Sequence, residues 1–154
     1  MKRKRLTASM IALVMSVSLP MTTYAANWYL EDGSVTVNAD NSGQTVTQGS
    51  TSTPDEAPVI TQRESSVETG NTIAISTSDN AAANVTIKDI NIKSSNDAID
   101  VKGSSSANIT LEGDNKIFSE TGSALHVSDG NVTINGSGSL KAEIQDEPFG
   151  YNHN

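Results

Sequence analysis

Asn84-Val85-Thr86-Ile87, Asn108-Ile109-Thr110-Leu111 and Asn131-Val132-Thr133-Ile134 are three versions of one tetrapeptide, set at nearly equal intervals along the chain. Recurrence at a near-constant period of about 24 residues marks a stacked architecture in which each repeat is one structural unit. Further matches fall inside the period. Ala98-Ile99-Asp100-Val101 corresponds to Ala124-Leu125-His126-Val127, with Thr72-Ile73-Ala74-Ile75 one period earlier. A third segment recurs as Asn91-Ile92-Lys93, Lys116-Ile117-Phe118 and Ser139-Leu140-Lys141. The segments alternate apolar with polar residues, the period-2 pattern of a strand that buries one face. Turn residues divide them at Lys102-Gly103-Ser104, Glu112-Gly113-Asp114 and Asp129-Gly130.

Three short strands per coil predict an all-β fold, a right-handed parallel β-helix whose coils pair at about 4.8 Å. Weaker echoes at Ser34-Val35-Thr36-Val37 and Val59-Ile60-Thr61 raise the expectation to about five coils. In such a stack Val85, Ile109 and Val132 form one interior column and Ile87, Leu111 and Ile134 a second, with Ile99 and Leu125 part of a third. Asn84, Asn108 and Asn131 then fall at equivalent positions, where amides can bond along the axis as a ladder. Each of these Asn-x-Thr triplets also matches the glycosylation acceptor pattern.

Composition fits this architecture. The 154 residues are 35% hydrophobic but only 4% aromatic, which leaves room for one domain with a narrow core of short, β-branched side chains. The absence of cysteine excludes disulfides, thiolate metal sites and cysteine catalysis.

Residues 1–25 read as a signal peptide, with a basic start at Lys2-Arg3-Lys4-Arg5, an apolar run from Met10 to Leu19 and small residues around Ala25. That run is shorter than the roughly 20 residues a bilayer span requires, so no membrane span is expected after cleavage. The chain is expected to be secreted or held at the cell surface. Beyond residue 25 stand six basic residues against eighteen acidic ones, a net charge of −12. A field of that sign argues against nucleic acid as a partner.

The β-helix domain is expected over residues 26–142. Trp28-Tyr29-Leu30 sits where the first coil needs a cap, and Asn38 to Pro58 reads as a long projecting turn. Residues 143–154 read as an irregular tail after an unfinished last coil, so the helix is expected to be truncated at its C-terminal end.

With its Asp32-Gly33-Ser34 start, its Asn-Val-Thr-Ile coils and its Gly136-Ser137-Gly138-Ser139-Leu140 ending, the stretch from Trp28 to Ala142 resembles the carbohydrate-binding domain proteins secreted by clostridia and related gut bacteria. The resemblance implies a pectate-lyase-like β-helix that binds pectin or cellulose and carries calcium without evident lyase activity.

The residues themselves give no enzyme. A β-helix lyase needs a basic residue beside a calcium cluster, and Arg63 is the only arginine beyond the leader. A glycosidase needs paired carboxylates flanking one bond, yet the strand after Asp97 and Asp100 offers only Leu125 and His126 between Ala124 and Val127. His126 is expected to stack over Asp100 on the outer face. The expected function is therefore a non-catalytic module binding an acidic polysaccharide or cell-surface glycan, the alternative being a structural stalk or truncated adhesin repeat. Alternation places Lys93, Phe118 and Lys141 outward in one column with Lys116 beside them, an aromatic among cations suited to a uronate-bearing sugar. Asp97 and Asp100 are the candidate ligands for Ca2+, though that ion takes six to eight oxygens.

Overall fold

A computed structural model describes residues 25–145. The expected signal peptide, apart from Ala25, and residues 146–154 of the expected tail lie outside the described residues. In chain order the strands are β1 (Asn27–Tyr29), β2 (Val35–Asp40), β3 (Gly43–Gln48), β4 (Thr51–Pro54), β5 (Val59–Thr61), β6 (Ile73–Thr77), β7 (Ala83–Lys88), β8 (Asn91–Ser94), β9 (Ile99–Gly103), β10 (Ser106–Glu112), β11 (Asp114–Ser119), β12 (Leu125–Ser128), β13 (Asn131–Gly136) and β14 (Ser139–Ile144). A single turn of 3₁₀ helix, Leu30–Asp32, follows β1.

The strands form three sheets around one axis. The first face runs β1-β5-β7-β10-β13 and the second β8-β11-β14; the third runs β12-β9-β6-β2 and continues into β3 and β4. Every pairing between coils is parallel. From β7 onward the chain visits the three faces in rotation, and the turn before it touches the second face through the Thr69–Ile92 bridge, which makes the fold a parallel β-helix, as the repeat predicts. Only the first face reaches five rungs. About three turns are complete, with β1 and β2 a partial turn at one end and β13 and β14 a partial turn at the other.

Register decides the interior. In line on the first face are Trp28, Ile60, Ile87 and Leu111, and beside them Val85, Ile109 and Ile134. On the third face Val35, Ile73, Ile99 and Leu125 form one column and Val37, Ile75, Val101 and Val127 another. Ile60, Ile75, Ile87 and Ile99 are essentially inaccessible to solvent. The last rung is not: Val127, Ile134 and Ile144 are markedly exposed.

Two of the expected columns shift at that rung. Val132 lies opposite Ala107 rather than Ile109, and Ile134 opposite Ile109 rather than Leu111. The turn is the cause. Asp129 and Gly130 both adopt positive φ, and the Asn131 N–H donates to the Ser105 carbonyl at 3.1 Å, which seats Asn131 opposite Ser106. A two-residue slide preserves the alternation of faces, so the apolar residues still point inward. The previous turn has its own steric requirement: Gly103 has φ +123, and a Cβ there would lie 1.9 Å from the Thr77 carbonyl oxygen.

The segment from Asn38 to Pro58 is not a long turn. It contributes the end of β2 and two further antiparallel strands, β3 and β4, on the edge of the third face. Thr45, Thr47, Thr51 and Thr53 favour extended backbone, and Asn41-Ser42 and Gly49-Ser50 close the hairpins with two-residue connections. Val46 pairs with Val37 and is fully buried. At the other end of the chain β14 continues to Ile144, past the expected domain boundary at residue 142, because Glu143 and Ile144 pair with Phe118 and Ser119.

Buried amides and one buried carboxylate close the irregular coils. Gln44 Nε2 donates to the carbonyls of Asp55 and Asn84, and Gln44 Oε1 accepts from the Asn84 N–H. Its side chain thus pairs as a peptide group would, where β5 begins too late to meet the start of β7. Asp55 accepts from the Trp28 indole N–H at 2.9 Å and from the Ala26 N–H at 3.1 Å, which fixes Trp28 over the first coil. Asn115 reaches the carbonyls of Glu112 and Ser139 and accepts from Ile90 N–H.

Arg63 is a staple in this first turn. It forms two hydrogen bonds to Asp32, at 2.9 and 2.7 Å, and lies 4.0 Å from the Tyr29 ring centre. Glu31 accepts from the N–H groups of Arg63 and Glu64. Slight burial alone would raise the Glu31 carboxyl, but these backbone donors outweigh it and hold it below its ordinary value. The Arg63 guanidinium holds Asp32 low by the same logic of stabilised charge.

Ile109→Ala, in the buried column, is expected to cost about 2–5 kcal/mol, while Ile134→Ala on the open rung costs about 1 kcal/mol or less. Urea unfolding midpoints of the two variants check the contrast. The depressed carboxyls bind protons less readily in the folded chain. Their contribution is full above the ordinary carboxylate range, at about 4, and is lost as pH falls through the lower folded values. Arg63→Gln should therefore melt below wild type at neutral pH, and the gap should close in acid; a gap that persists at the acid end would contradict the staple.

Candidate functional site

The second face carries the outward residues singled out by the repeat. Lys93, Lys116 and Lys141 are exposed and Phe118 is half-buried. Lys93 pairs with Phe118, and its Nζ stands 5.8 Å from the ring centre. Lys141 does not continue that column. Its place is taken by Glu143, whereas Asn91, Lys116 and Lys141 are neighbours in the adjacent column. The step along this face is uniform, from Ile92 to Ile117 to Ala142, and it replaces the shorter step from Ile117 to Leu140 that the motif suggests. Leu140 instead sits opposite the buried Asn115.

A shallow groove of about 190 Å³ crosses these coils, lined by Glu68, Asn91, Lys93, Lys116, Phe118 and Glu143, with Ile92 and Ile117 beneath. Lys93 Nζ is 3.8 Å from Glu68 and Lys141 Nζ 3.0 Å from Glu143. Lys116 has no ion-pair partner among the described residues. The surface pairs are solvated and each is worth about 1 kcal/mol or less, so a charged ligand can exchange with them at little cost. Glu68, Asn91 and Glu143 were not singled out from the sequence; the uniform step, applied to Phe118 and Lys116, would have found the last two.

No protein-family model, curated protein or solved structure matches the chain. Among the described residues no helix is long and apolar enough to cross a membrane.

The third face holds a different group. His126 pairs with Asp100 across β12 and β9, as the repeat predicts, and its Nδ1 lies 3.0 Å from Asp100 Oδ1 and 3.6 Å from Asp97 Oδ2. Lys102 Nζ reaches Asp100 at 4.0 Å. Asp97 sits in the bend before β9, where its Oδ1 accepts from the Ser123 N–H of the next coil at 2.6 Å.

The asparagine ladder is shorter than the motif implies. Asn108 Nδ2 donates to Asn84 Oδ1 at 3.0 Å, but the next residue in line is Thr133, because Asn131 is paired with Ser106. In the neighbouring column Thr110 donates to Asn135 at 3.1 Å. Arg63, the one cation considered for catalysis, is engaged with Asp32 and Tyr29.

Proposed function

We propose that this chain is a secreted, non-catalytic carbohydrate-binding or adhesive module of the cell surface, and that the groove on its second face engages an acidic polysaccharide such as pectin. The observation that carries the reading is the half-buried ring of Phe118, flanked by Lys93 on the preceding coil and by Lys116 on its own strand. A sugar ring stacks on an aromatic face through its C–H groups, and an ammonium beside it meets a uronate carboxylate or a hydroxyl. Lys141 repeats the ammonium of Lys116 one rung on, and a flat sheet suits an extended chain better than a deep pocket does. Asn91 and Glu143 supply an amide and a carboxylate for ring hydroxyls at the groove margins.

A structural stalk or adhesin repeat without glycan binding is the second reading. It is favoured by the pairing of Lys93 with Glu68 and of Lys141 with Glu143, which gives two of the three lysines a place in the protein's own surface charge.

The double variant Lys93→Ala with Phe118→Ala separates the two. Loss of a stacked ring and a neighbouring charge should weaken co-sedimentation with polygalacturonate about tenfold or more, with the far-ultraviolet spectrum unchanged. Retention equal to wild type would remove the groove from consideration and leave the stalk.

A further inference from the structure

We propose that Asp97, Asp100 and His126 form a binding site for a borderline divalent transition-metal ion, with Zn2+ the ion that fits best. The site lies on the third face and is independent of the glycan reading of the second. One donor atom from each of the three side chains lies within 4.8 Å of the other two. With Zn–N and Zn–O bonds of about 2.0–2.2 Å, a tetrahedral site separates its ligand atoms by about 3.3 Å. The two separations from His126 Nδ1, 3.0 and 3.6 Å, bracket that value, the two carboxylates lie within 4.8 Å of each other, and an ion would take the place of the His126–Asp100 hydrogen bond. Three protein ligands and a water complete four-coordination.

The donor set selects the ion. Ca2+ takes six to eight oxygens, whereas an imidazole nitrogen with two carboxylates suits Zn2+, Ni2+ or Cu2+. The two aspartates that alone suggested calcium thus acquire, through the coil register, a third donor that turns the preference away from it. Orientation is already provided. The Ser123 N–H holds Asp97 Oδ1, leaving Oδ2 turned toward His126, which is how outer contacts aim a ligating carboxylate. The side chains of Asp97, Asp100 and His126 are 34, 30 and 46% exposed, so an ion enters directly from solvent. Lys102, itself 58% exposed at 4.0 Å from Asp100, swings away at small cost. An ion held there ties β12, the terminal strand of the third face, to the bend before β9 and to β9 itself.

The test is calorimetric titration of the untagged chain with Zn2+ and, separately, with Ca2+, in a His153→Ala background that removes the only other histidine of the sequence. One Zn2+ per chain is expected, with no Ca2+ binding at the same concentrations. His126→Ala and, as a second variant, Asp97→Asn should each weaken Zn2+ binding tenfold or more. Co2+ bound to the parent chain should give the visible absorption of a four-coordinate site, which remains decisive should either variant fail to fold. Absence of stoichiometric Zn2+ binding, Zn2+ affinity unchanged in folded His126→Ala, or displacement of Zn2+ by equimolar Ca2+ would each overturn the proposal.

Discussion

Parallel backbone pairing between successive coils is the constraint on which the molecule depends. On the regular faces a rung satisfies the N–H and C=O groups of its strands by meeting the rung before and the rung after it. That requirement sets coil length within narrow limits: on the first face Ile60, Ile87, Leu111 and Gly136 follow one another at nearly equal intervals of sequence. Each pairing then brings like residues into line. Ile87 meets Ile60 and Leu111, and Ile75 meets Val37 and Val101. Short aliphatic side chains stacked in this way fill a narrow interior without large aromatics, which accounts for a core in which Trp28 is the only aromatic among the described residues.

The same constraint makes the outer surface chemically ordered. A residue on an outward position has neighbours one coil away at close range on either side, so functional groups are assembled by period rather than by chain proximity. The Lys93 and Phe118 pair on the second face and the Asp100 and His126 pair on the third both arise so. In each case the partners are a full coil apart in the sequence, yet they stand in direct register.

Much of the architecture was legible in the sequence because the repeat is strong where the coils are regular. Asn84 with Asn108, Ile92 with Ile117 and Asp100 with His126 align by period and are partners in space. The reading failed where a motif competed with a turn. Asn-Val-Thr-Ile recurs at residue 131, but the tight Asp129-Gly130 bend places that strand two residues out of line with its namesake, and local similarity carries no information about a bend's geometry. It failed again between Asn38 and Pro58, where Thr-rich polar strands lack the apolar alternation by which the others are recognised. Val46 is the one aliphatic residue of β3, too little for a periodic signal. The groove was half legible for the same reason: Phe118 and Lys93 are neighbours as expected, while Glu143 stands where the motif places Lys141 and Lys141 lies beside Lys116.

The pairing of Gln44 with Asn84 has a consequence for how such a molecule changes. A side-chain amide places a donor and an acceptor in nearly the spacing of a peptide, so at this corner one well-placed glutamine stands in for the missing rung. Loop length is thereby uncoupled from stacking: the chain from Trp28 to its partner Ile60 is longer than the coil from Ile60 to Ile87, and the surplus has been spun out into a hairpin without leaving Asn84 unsatisfied. Corners mended by amides are the points at which new segments can be grafted while the coils on either side keep their alignment.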